Sequence, residues 1–155
     1  MEEKKYIHRH LETVINIASL FLNKDQVICQ ISTKEKTTKV YSVKDNDKKY
    51  NVVVLTNQNS ASASELLAAA LNEQYSAEIV GTKTYGKGTV QKTLTLSDGS
   101  MIKYTAETWL TAKGNSIDKV GVSPTIEVSL SEEYYKNATT ETDNQLQTAI
   151  ETLNK

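Results

Sequence analysis

The chain has 155 residues, with 18 Lys and Arg against 19 Asp and Glu, so its formal net charge is −1. This balance leaves no basic surface for nucleic acid and no polybasic stretch for a membrane surface. No run of about 18 apolar residues occurs, so the sequence predicts no membrane-spanning helix. Residues 1–10 contain no apolar core of a signal peptide, and the chain taken literally is expected to be one cytoplasmic domain.

The single cysteine, Cys29, excludes an internal disulfide and a multi-cysteine zinc site. It lies in an apolar stretch, where a buried structural thiol is expected. A catalytic cysteine would usually lie at a turn or a helix start instead, where the thiolate is stabilised. The acidic residues are scattered without metal-ligand spacing, so neither a metal nor a cofactor is predicted.

The spacing of apolar residues predicts an α/β fold with an antiparallel β annex. The apolar run over residues 51–56 is typical of a strand buried on both faces of a parallel sheet. Ser97–Ser100 is a hairpin turn signal between two alternating stretches. In chain order, the predicted elements are a helix over residues 11–23, strands over 26–33, 38–43 and 51–56, a helix over 62–74, strands over 77–81, 89–96, 101–110 and 125–130, and a helix over 142–154.

Three serines, Ser60, Ser62 and Ser64, lie between the predicted buried strand and the helix that follows it. Such side chains are suited to cap a helix, and Ser62 with Glu65 three residues later fits a capping box. A serine at a strand-to-helix turn can also be a nucleophile, because the backbone N–H of the next residue, here Ala63, points at a developing oxyanion. The residues alone leave open which of the three serines would react.

A lysine between two glycines, Lys87 in the stretch Gly86–Gly88, is the candidate general base. Its amine must be neutral to take a proton, and burial beside the glycines would favour the neutral form. Gln91 lies four residues further along the predicted strand, on the same face. Its amide is expected to orient the amine by a hydrogen bond. The alternative is that Gln91 is an ordinary exposed strand residue.

Two other kinds of site are considered and rejected. The stretch Gly81–Lys87 nearly fits a phosphate-binding loop, but Gly88 occupies the position that requires Ser or Thr. A strand pattern also follows it, where the phosphate loop requires a helix. His8 and His10 lie in a polar N-terminus without an identifiable orienting acid, so no Ser-His-Asp arrangement is predicted.

The blocks around the serines and the lysine resemble the carboxyl-terminal processing, or tail-specific, serine peptidases. The resemblance is carried by Asn59–Glu65 and Tyr85–Gln91 and covers most of residues 11–130. Supporting matches are Leu96–Ser100, Leu110–Ile117, Gly121–Pro124 and the helix over residues 11–22.

The resemblance implies a fold, a reaction and a set of site residues. The family fold is an α/β core of the crotonase and Clp-protease type, usually with an inserted PDZ domain. Ser62 matches the family nucleophile, Lys87 the general base, Gln91 the orienting residue, and the backbone amide of Ala63 one oxyanion donor. The implied activity is cleavage of extended C-terminal tails of proteins by an exported or membrane-anchored enzyme, without a cofactor.

The chain also departs from the family pattern. A Gly-Gly loop usually supplies the other oxyanion amide, and here His8 and Arg9 occupy both glycine positions. The PDZ domain and the first part of the core have no counterpart. We therefore expect a non-family segment over residues 1–10 and a partial peptidase core with a C-terminal helix over residues 11–155. Loss of one oxyanion donor costs ~10²–10³ in rate, so this chain is expected to be weakly active or inactive.

An alternative function belongs to a different class of protein. A partial core would leave a sheet edge open, and such an edge can pair with a peptide or with a second copy of the chain. This predicts a non-catalytic peptide-binding or assembly module, with a homodimer as one form. An acyl-CoA-handling relative of the crotonase type rests on fold analogy alone.

Overall fold

The computed structural model describes residues 11–46 and 48–155. Helix α1 comprises residues 11–18, which are the first residues that the structure describes. The remaining elements are β1 (Val27–Ser32), β2 (Thr37–Tyr41), β3 (Val53–Thr56), α2 (Ala63–Tyr75), β4 (Glu78–Gly81), β5 (Thr89–Thr95), β6 (Met101–Leu110), β7 (Ile126–Glu127), α3 (Glu132–Lys136) and α4 (Asn144–Leu153).

Two sheets organise the described residues. The first is antiparallel, with the strand order β2-β1-β6-β5, and the second is parallel, with the order β3-β4-β7. Strand β5 continues from β4 through the loop that contains Lys87, so this loop joins the parallel sheet to the antiparallel sheet. The prediction of an α/β fold with an antiparallel annex is confirmed.

The hydrophobic core lies between α1, α2 and the antiparallel sheet. It contains Leu66 and Ala70 of α2, Ile28 and Cys29 of β1, and Trp109 of β6, all of them buried. The alanines at positions 68–70 of α2 are also buried, and their small side chains allow close packing of the helix. The buried thiol expected for Cys29 is confirmed.

Several predicted elements differ from the structure in their limits. Helix α1 ends at residue 18 rather than 23, because the chain turns tightly there: Leu20 N–H donates to the Ile17 carbonyl oxygen at 3.0 Å. Strand β3 is parallel as predicted, but it is an edge strand with one neighbour, and Leu55 is 46% exposed. Helix α3 was not predicted, because it is short and none of its residues is buried. No helix of the described residues is long and apolar enough to cross a membrane.

Candidate active site

The loop between β3 and α2 carries the three serines, and it gives each of them a different environment. Ser60 closes a turn, in which its N–H donates to the Asn57 carbonyl oxygen at 2.9 Å and its Oγ accepts from the Asn57 N–H at 3.1 Å. Ser64 is an exposed residue of the first turn of α2. Ser62 is partly buried and is the residue immediately before the helix. The structure thus distinguishes Ser62 by its position at the turn itself.

The backbone of Ser62 has φ 59° and ψ −117°, a left-handed conformation that favours glycine. A non-glycine residue held in such a region costs about 1–3 kcal/mol, and such strain clusters at functional sites. A strained serine at a strand-to-helix turn is the local geometry of a nucleophile elbow. The conformation therefore favours Ser62 over the other two serines as the reactive residue.

The start of α2 presents a free N–H beside Ser62. The N–H of Ser64 donates to the Ala61 carbonyl oxygen at 3.2 Å, and that of Glu65 donates to the Ser62 carbonyl oxygen at 3.0 Å. The N–H of Ala63 has no acceptor among residues 11–46 and 48–155. Because the N-terminus of a helix carries partial positive charge, this N–H is suited to an oxyanion that forms next to Ser62.

Glu65 is completely buried and joins the serine turn to the lysine loop. Its Oε1 accepts from the Thr84 hydroxyl at 2.5 Å and from the Gly86 N–H at 2.7 Å. Its Oε2 accepts from the Ser62 N–H at 2.7 Å and from the Lys87 N–H at 2.8 Å. The backbone N–H groups of Ser62 and Lys87 therefore share one carboxylate oxygen atom as their acceptor.

The predicted capping box is present, with contacts in both directions between Ser62 and Glu65. The Ser62 N–H bonds to the Glu65 carboxylate, as the motif requires. Although Ser62 Oγ lies near the Glu65 N–H, it makes no regular capping hydrogen bond, and that N–H instead donates to the Ser62 carbonyl oxygen. Because a capping side chain serves only as an acceptor, the hydroxyl proton of Ser62 remains available for transfer.

The two glycines that flank Lys87 are needed for close backbone packing. A Cβ on Gly88 would lie 2.5 Å from the Asp118 backbone N, and one on Gly86 would lie 3.0 Å from the Gly121 backbone N. Gly86 also has φ +88°, which favours glycine. The carbonyl oxygens of Gly86 and Gly88 accept hydrogen bonds from the N–H groups of Lys119 and Trp109, at 2.8 and 2.7 Å. The lysine loop is therefore fixed on several sides.

Two expectations about the lysine and its neighbour need correction. The Lys87 side chain is exposed, so the expected burial beside the glycines does not occur within the described part of the chain. Gln91 is exposed on β5, and a β-bulge between Val90 and Gln91 interrupts the alternation of the strand. Because the bulge shifts the alternation, the spacing of four residues does not place Gln91 on the same face as Lys87. The strand predicted after the lysine is confirmed.

The other candidate groups in the described residues do not form a second site. Burial raises the pKa of the Cys29 thiol to about 12, so the nucleophilic thiolate is disfavoured there. No group of three or more His, Cys, Asp or Glu residues within residues 11–46 and 48–155 is arranged to hold a metal ion. His8, Arg9 and His10 lie outside the described residues.

Comparison with known proteins identifies the family. The profile of Peptidase family S41 matches residues 10–128. The chain belongs to this family. It is 44% identical over 120 residues to the carboxy-terminal processing protease CtpB of Bacillus subtilis (strain 168), which covers 77% of this chain and 25% of the relative. Its identity to CtpA of the same organism is 38% over 121 residues, or 77% of this chain and 26% of the relative.

Other relatives support the same assignment. A probable CtpA-like serine protease of Staphylococcus haemolyticus is 34% identical over 122 residues, covering 77% of this S41 chain and 25% of that protein. The solved structure of a photosystem II D1 C-terminal processing protease matches 77% of this chain and 31% of its own, with TM-score 0.66 and 31% identity. The resemblance found in the sequence is confirmed, and this S41 chain spans about a quarter of the length of the curated relatives it matches.

Similarity of fold extends further than similarity of sequence. A putative peptidase from Parabacteroides merdae matches 92% of this chain and 47% of its own, with TM-score 0.73 and 19% identity. At this identity the match bears on the fold alone. Since it includes more of the S41 chain than the family profile does, elements beyond residue 128 also follow a known arrangement.

Sequence reasoning missed the part of the site that depends on Glu65. The capping-box pattern identified Glu65 as a local partner of Ser62. Its bonds to Thr84, Gly86 and Lys87 span 19 to 22 residues of sequence, so no local pattern signals them. The one indication in the sequence is a charged residue at the start of an apolar, alanine-rich helix, because burial there would require hydrogen-bond partners.

Proposed function

We propose that this chain carries the nucleophile and the base of a serine endopeptidase of the Ser-Lys type. Lys87 takes the hydroxyl proton of Ser62, and Ser62 Oγ attacks a peptide carbonyl carbon to form a tetrahedral oxyanion beside the Ala63 N–H. Collapse of this species breaks the C–N bond, and the amine leaves with a proton from Lys87. Water then hydrolyses the ester and restores Ser62, with Lys87 as the base again.

One observation carries this proposal more than any other. Ser62 has a strained left-handed backbone at the start of α2, and its N–H shares an acceptor oxygen with the N–H of Lys87. Capping alone does not account for the strain, because an N-cap residue ordinarily has an extended backbone rather than a positive φ. A nucleophile next to an oxyanion-binding N–H accounts for both features.

The exposure of Lys87 sets a condition on activity. A lysine that serves as a general base usually lies in a desolvated site, and the described residues leave the Lys87 side chain open to water. We propose that a bound substrate or further parts of a longer protein cover Lys87, and that Gln91 orients its amine in that state. The chain alone is then weakly active or inactive towards peptides, while its Ser62 still reacts slowly with a small electrophile.

The first experiment measures labelling of Ser62 by a fluorophosphonate, followed by intact-mass and peptide mass spectrometry. We expect slow labelling of Ser62 in the wild type and none in Ser62→Ala or Lys87→Ala. Matched controls are Ser64→Ala in the same helix turn and Lys83→Ala in the same loop, both of which should keep the wild-type rate. Equal labelling of the wild type and Ser62→Ala would reject the assignment.

We propose that the substrates are extended C-terminal tails of proteins. Support comes from the names of the relatives CtpB and CtpA, which describe carboxy-terminal processing. The test compares cleavage of one peptide with a free carboxylate and the same peptide amidated. Equal cleavage of both would argue against recognition of the C-terminus.

Three further expectations stay proposals. We propose that the core is of the crotonase and Clp-protease type and that the division of the chain falls between residues 10 and 11. We also propose that the complete protein acts outside the cytoplasm, as the resemblance implies. Secretion of a reporter fused to the complete gene product would test the last of these, and retention of the reporter in the cytoplasm would oppose it.

A non-catalytic assembly module is the second candidate function. It is favoured by the hairpin of β5 and β6, on which Leu94, Met101, Ile102 and Tyr104 are about half exposed or more, and by the edge position of β5. Such an edge can pair with a peptide or with a second copy of the chain. The solution mass from light scattering tests the homodimer, and a monomer without affinity for extended peptides would exclude this candidate.

A further inference from the structure

The mechanism proposed above leaves one buried charged group without a role. Glu65 is 0% exposed, and each oxygen of its carboxylate accepts two hydrogen bonds. A carboxylate removed from water is costly unless its oxygens are satisfied, and here the donors come from both sides of the site. The arrangement therefore depends on the serine turn and the lysine loop being in place together.

We propose that Glu65 is a positioning residue, which holds the Ser62 turn and the Lys87 loop in register through its Oε2 atom. The inference rests on the proposed function, since it concerns the geometry of the same two residues. The N–H groups of Ser62 and Lys87 donate to Oε2 from separate segments. Glu65 itself acts through these backbone groups and touches neither the hydroxyl of Ser62 nor the amine of Lys87 by any hydrogen bond of the described residues.

The chemistry of the site requires a carboxylate in place of its isosteric amide. The donors are arranged as two pairs, with Thr84 and Gly86 on one oxygen and Ser62 and Lys87 on the other. A glutamine offers one acceptor oxygen and one NH₂ donor. Whichever way its amide turns, its NH₂ faces one pair of donors, and at least one backbone N–H of the site loses its acceptor.

The loop of Lys87 has other supports, so loss of Glu65 is expected to act locally. Trp109 N–H still holds the Gly88 carbonyl oxygen, and Lys119 N–H still holds that of Gly86. Tyr85 N–H still donates to the Ser60 carbonyl oxygen at 2.9 Å. What is lost is the direct connection between Ser62 and Lys87, which is the part that a proton transfer between them requires.

The test compares Glu65→Gln with Glu73→Gln, a matched control on the same helix. Glu73 also accepts a hydrogen bond from a loop amide, that of Lys113, at 2.8 Å, but at the other end of α2. Two quantities are measured: amide hydrogen exchange resolved by NMR, and the rate at which a fluorophosphonate labels Ser62. In Glu65→Gln we expect exchange at Gly86 or at Lys87, whichever N–H faces the NH₂ group of the new amide, to become faster by about tenfold or more relative to core amides.

We expect Ser62 labelling to slow by about tenfold or more in Glu65→Gln, because the base is no longer held in place. In Glu73→Gln the exchange at Lys113 alone should rise, and labelling should be unchanged. Wild-type labelling rates in Glu65→Gln would overturn the positioning role, as would a uniform rise in exchange throughout the chain. Fast exchange of Gly86 and Lys87 in the wild type would overturn it without any variant.

Labelling of the wild type distinguishes failure of the proposed function from failure of the role of Glu65. In that case wild-type Ser62 itself is not labelled above the level of Ser62→Ala, and both proposals fall. A labelled wild type with an equally labelled Glu65→Gln rejects the role of Glu65 alone. Glu65→Asp is a second variant, which keeps the charge but withdraws both oxygens by one methylene. It is expected to slow labelling as well, and wild-type labelling in this variant would oppose the proposal.

Discussion

At the scale of single residues, Ser62 shows a conflict between stability and function. Its φ of 59° is suited to glycine, yet glycine would remove the hydroxyl. We expect Ser62→Gly to be more stable than the wild type by about 1 kcal/mol. The substitution relieves roughly 1–3 kcal/mol of backbone strain. The larger conformational entropy of glycine in the unfolded chain offsets about 0.4–1 kcal/mol of this gain. Urea unfolding followed by circular dichroism measures the difference.

Two variants separate strain from other effects at this turn. Ser62→Ala removes the hydroxyl but keeps the Cβ, so its free energy of unfolding should stay below that of Ser62→Gly. Ser64→Gly places glycine in the first turn of α2, where it should destabilise the chain by roughly 0.5–1 kcal/mol. A Ser62→Gly protein less stable than Ser62→Ala would mean that the left-handed backbone is not strained in solution.

At the scale of elements, the lysine loop depends on contacts between backbones. A methyl group at Gly88 would lie 2.5 Å from the backbone N and 2.8 Å from the Cα of Asp118, neither of which can rotate away. We expect Gly88→Ala to lower the free energy of unfolding by about 3 kcal/mol, the upper end for overpacking. Ser62 labelling should also fall, because the loop that carries Lys87 is displaced. Chemical denaturation and the fluorophosphonate assay measure the two effects.

Gly99 provides the control for this substitution. It lies in the turn between β5 and β6 with φ +84°, and a Cβ there has no heavy atom within 4 Å. Gly99→Ala should therefore cost only about 1–2 kcal/mol from its positive φ. Labelling of Ser62 should remain at the wild-type rate. If both alanine variants reduce labelling equally, close packing against Asp118 is not what positions the loop.

The helices and strands that the sequence could predict are those with local signals. The hairpin of β5 and β6 was predicted because alternation and the turn residues Asp98 and Gly99 are local signals. Helix α3 has no buried face, and its N-cap Ser131, which accepts from the Tyr134 N–H at 3.2 Å, resembles any serine in a loop. The edge position of β3 depends on which strands are neighbours, and an apolar run does not encode that.

The candidate site was predicted only where it is local. The strand-turn-helix pattern around Ser62 and the glycines around Lys87 are readable, since each follows from its own few residues. Exposure of Lys87 depends on what surrounds the loop, and the bulge at Val90 and Gln91 depends on pairing with β6. The bonds of Glu65 to the lysine loop follow from tertiary packing alone.

At the scale of the whole molecule, the site lies where the two sheets are joined. Ser62 follows a strand of the parallel sheet, and Lys87 precedes the edge strand of the antiparallel sheet. Their geometry thus depends on how the two sheets are packed, and α2, which lies against β1 as well as β3 and β4, sets that packing. Global stability and the integrity of the site are therefore linked through the core beneath α2.

Cys29 in this core reports on global stability through its titration. Burial raises the pKa of its thiol from 9.0 to about 12, so between these values the folded chain keeps a proton that the unfolded chain has lost. The contribution of the protonated thiol to the free energy of unfolding is complete below pH 9 and is lost as the pH rises towards 12. In this window we expect the free energy of unfolding to fall by ~1.4 kcal/mol per pH unit more than in Cys29→Ala. Denaturant titrations at several pH values measure both slopes.

The comparison of slopes isolates the thiol from the tyrosines and lysines that titrate in the same range. Cys29→Ala leaves a cavity and should be less stable at every pH, but that loss is constant and does not alter the slope. Equal slopes in the two proteins would mean that the thiol ionises as readily in the folded chain as in the unfolded one. The core beneath α2 would then be open to water, and the packing that brings Ser62 and Lys87 together would not be rigid.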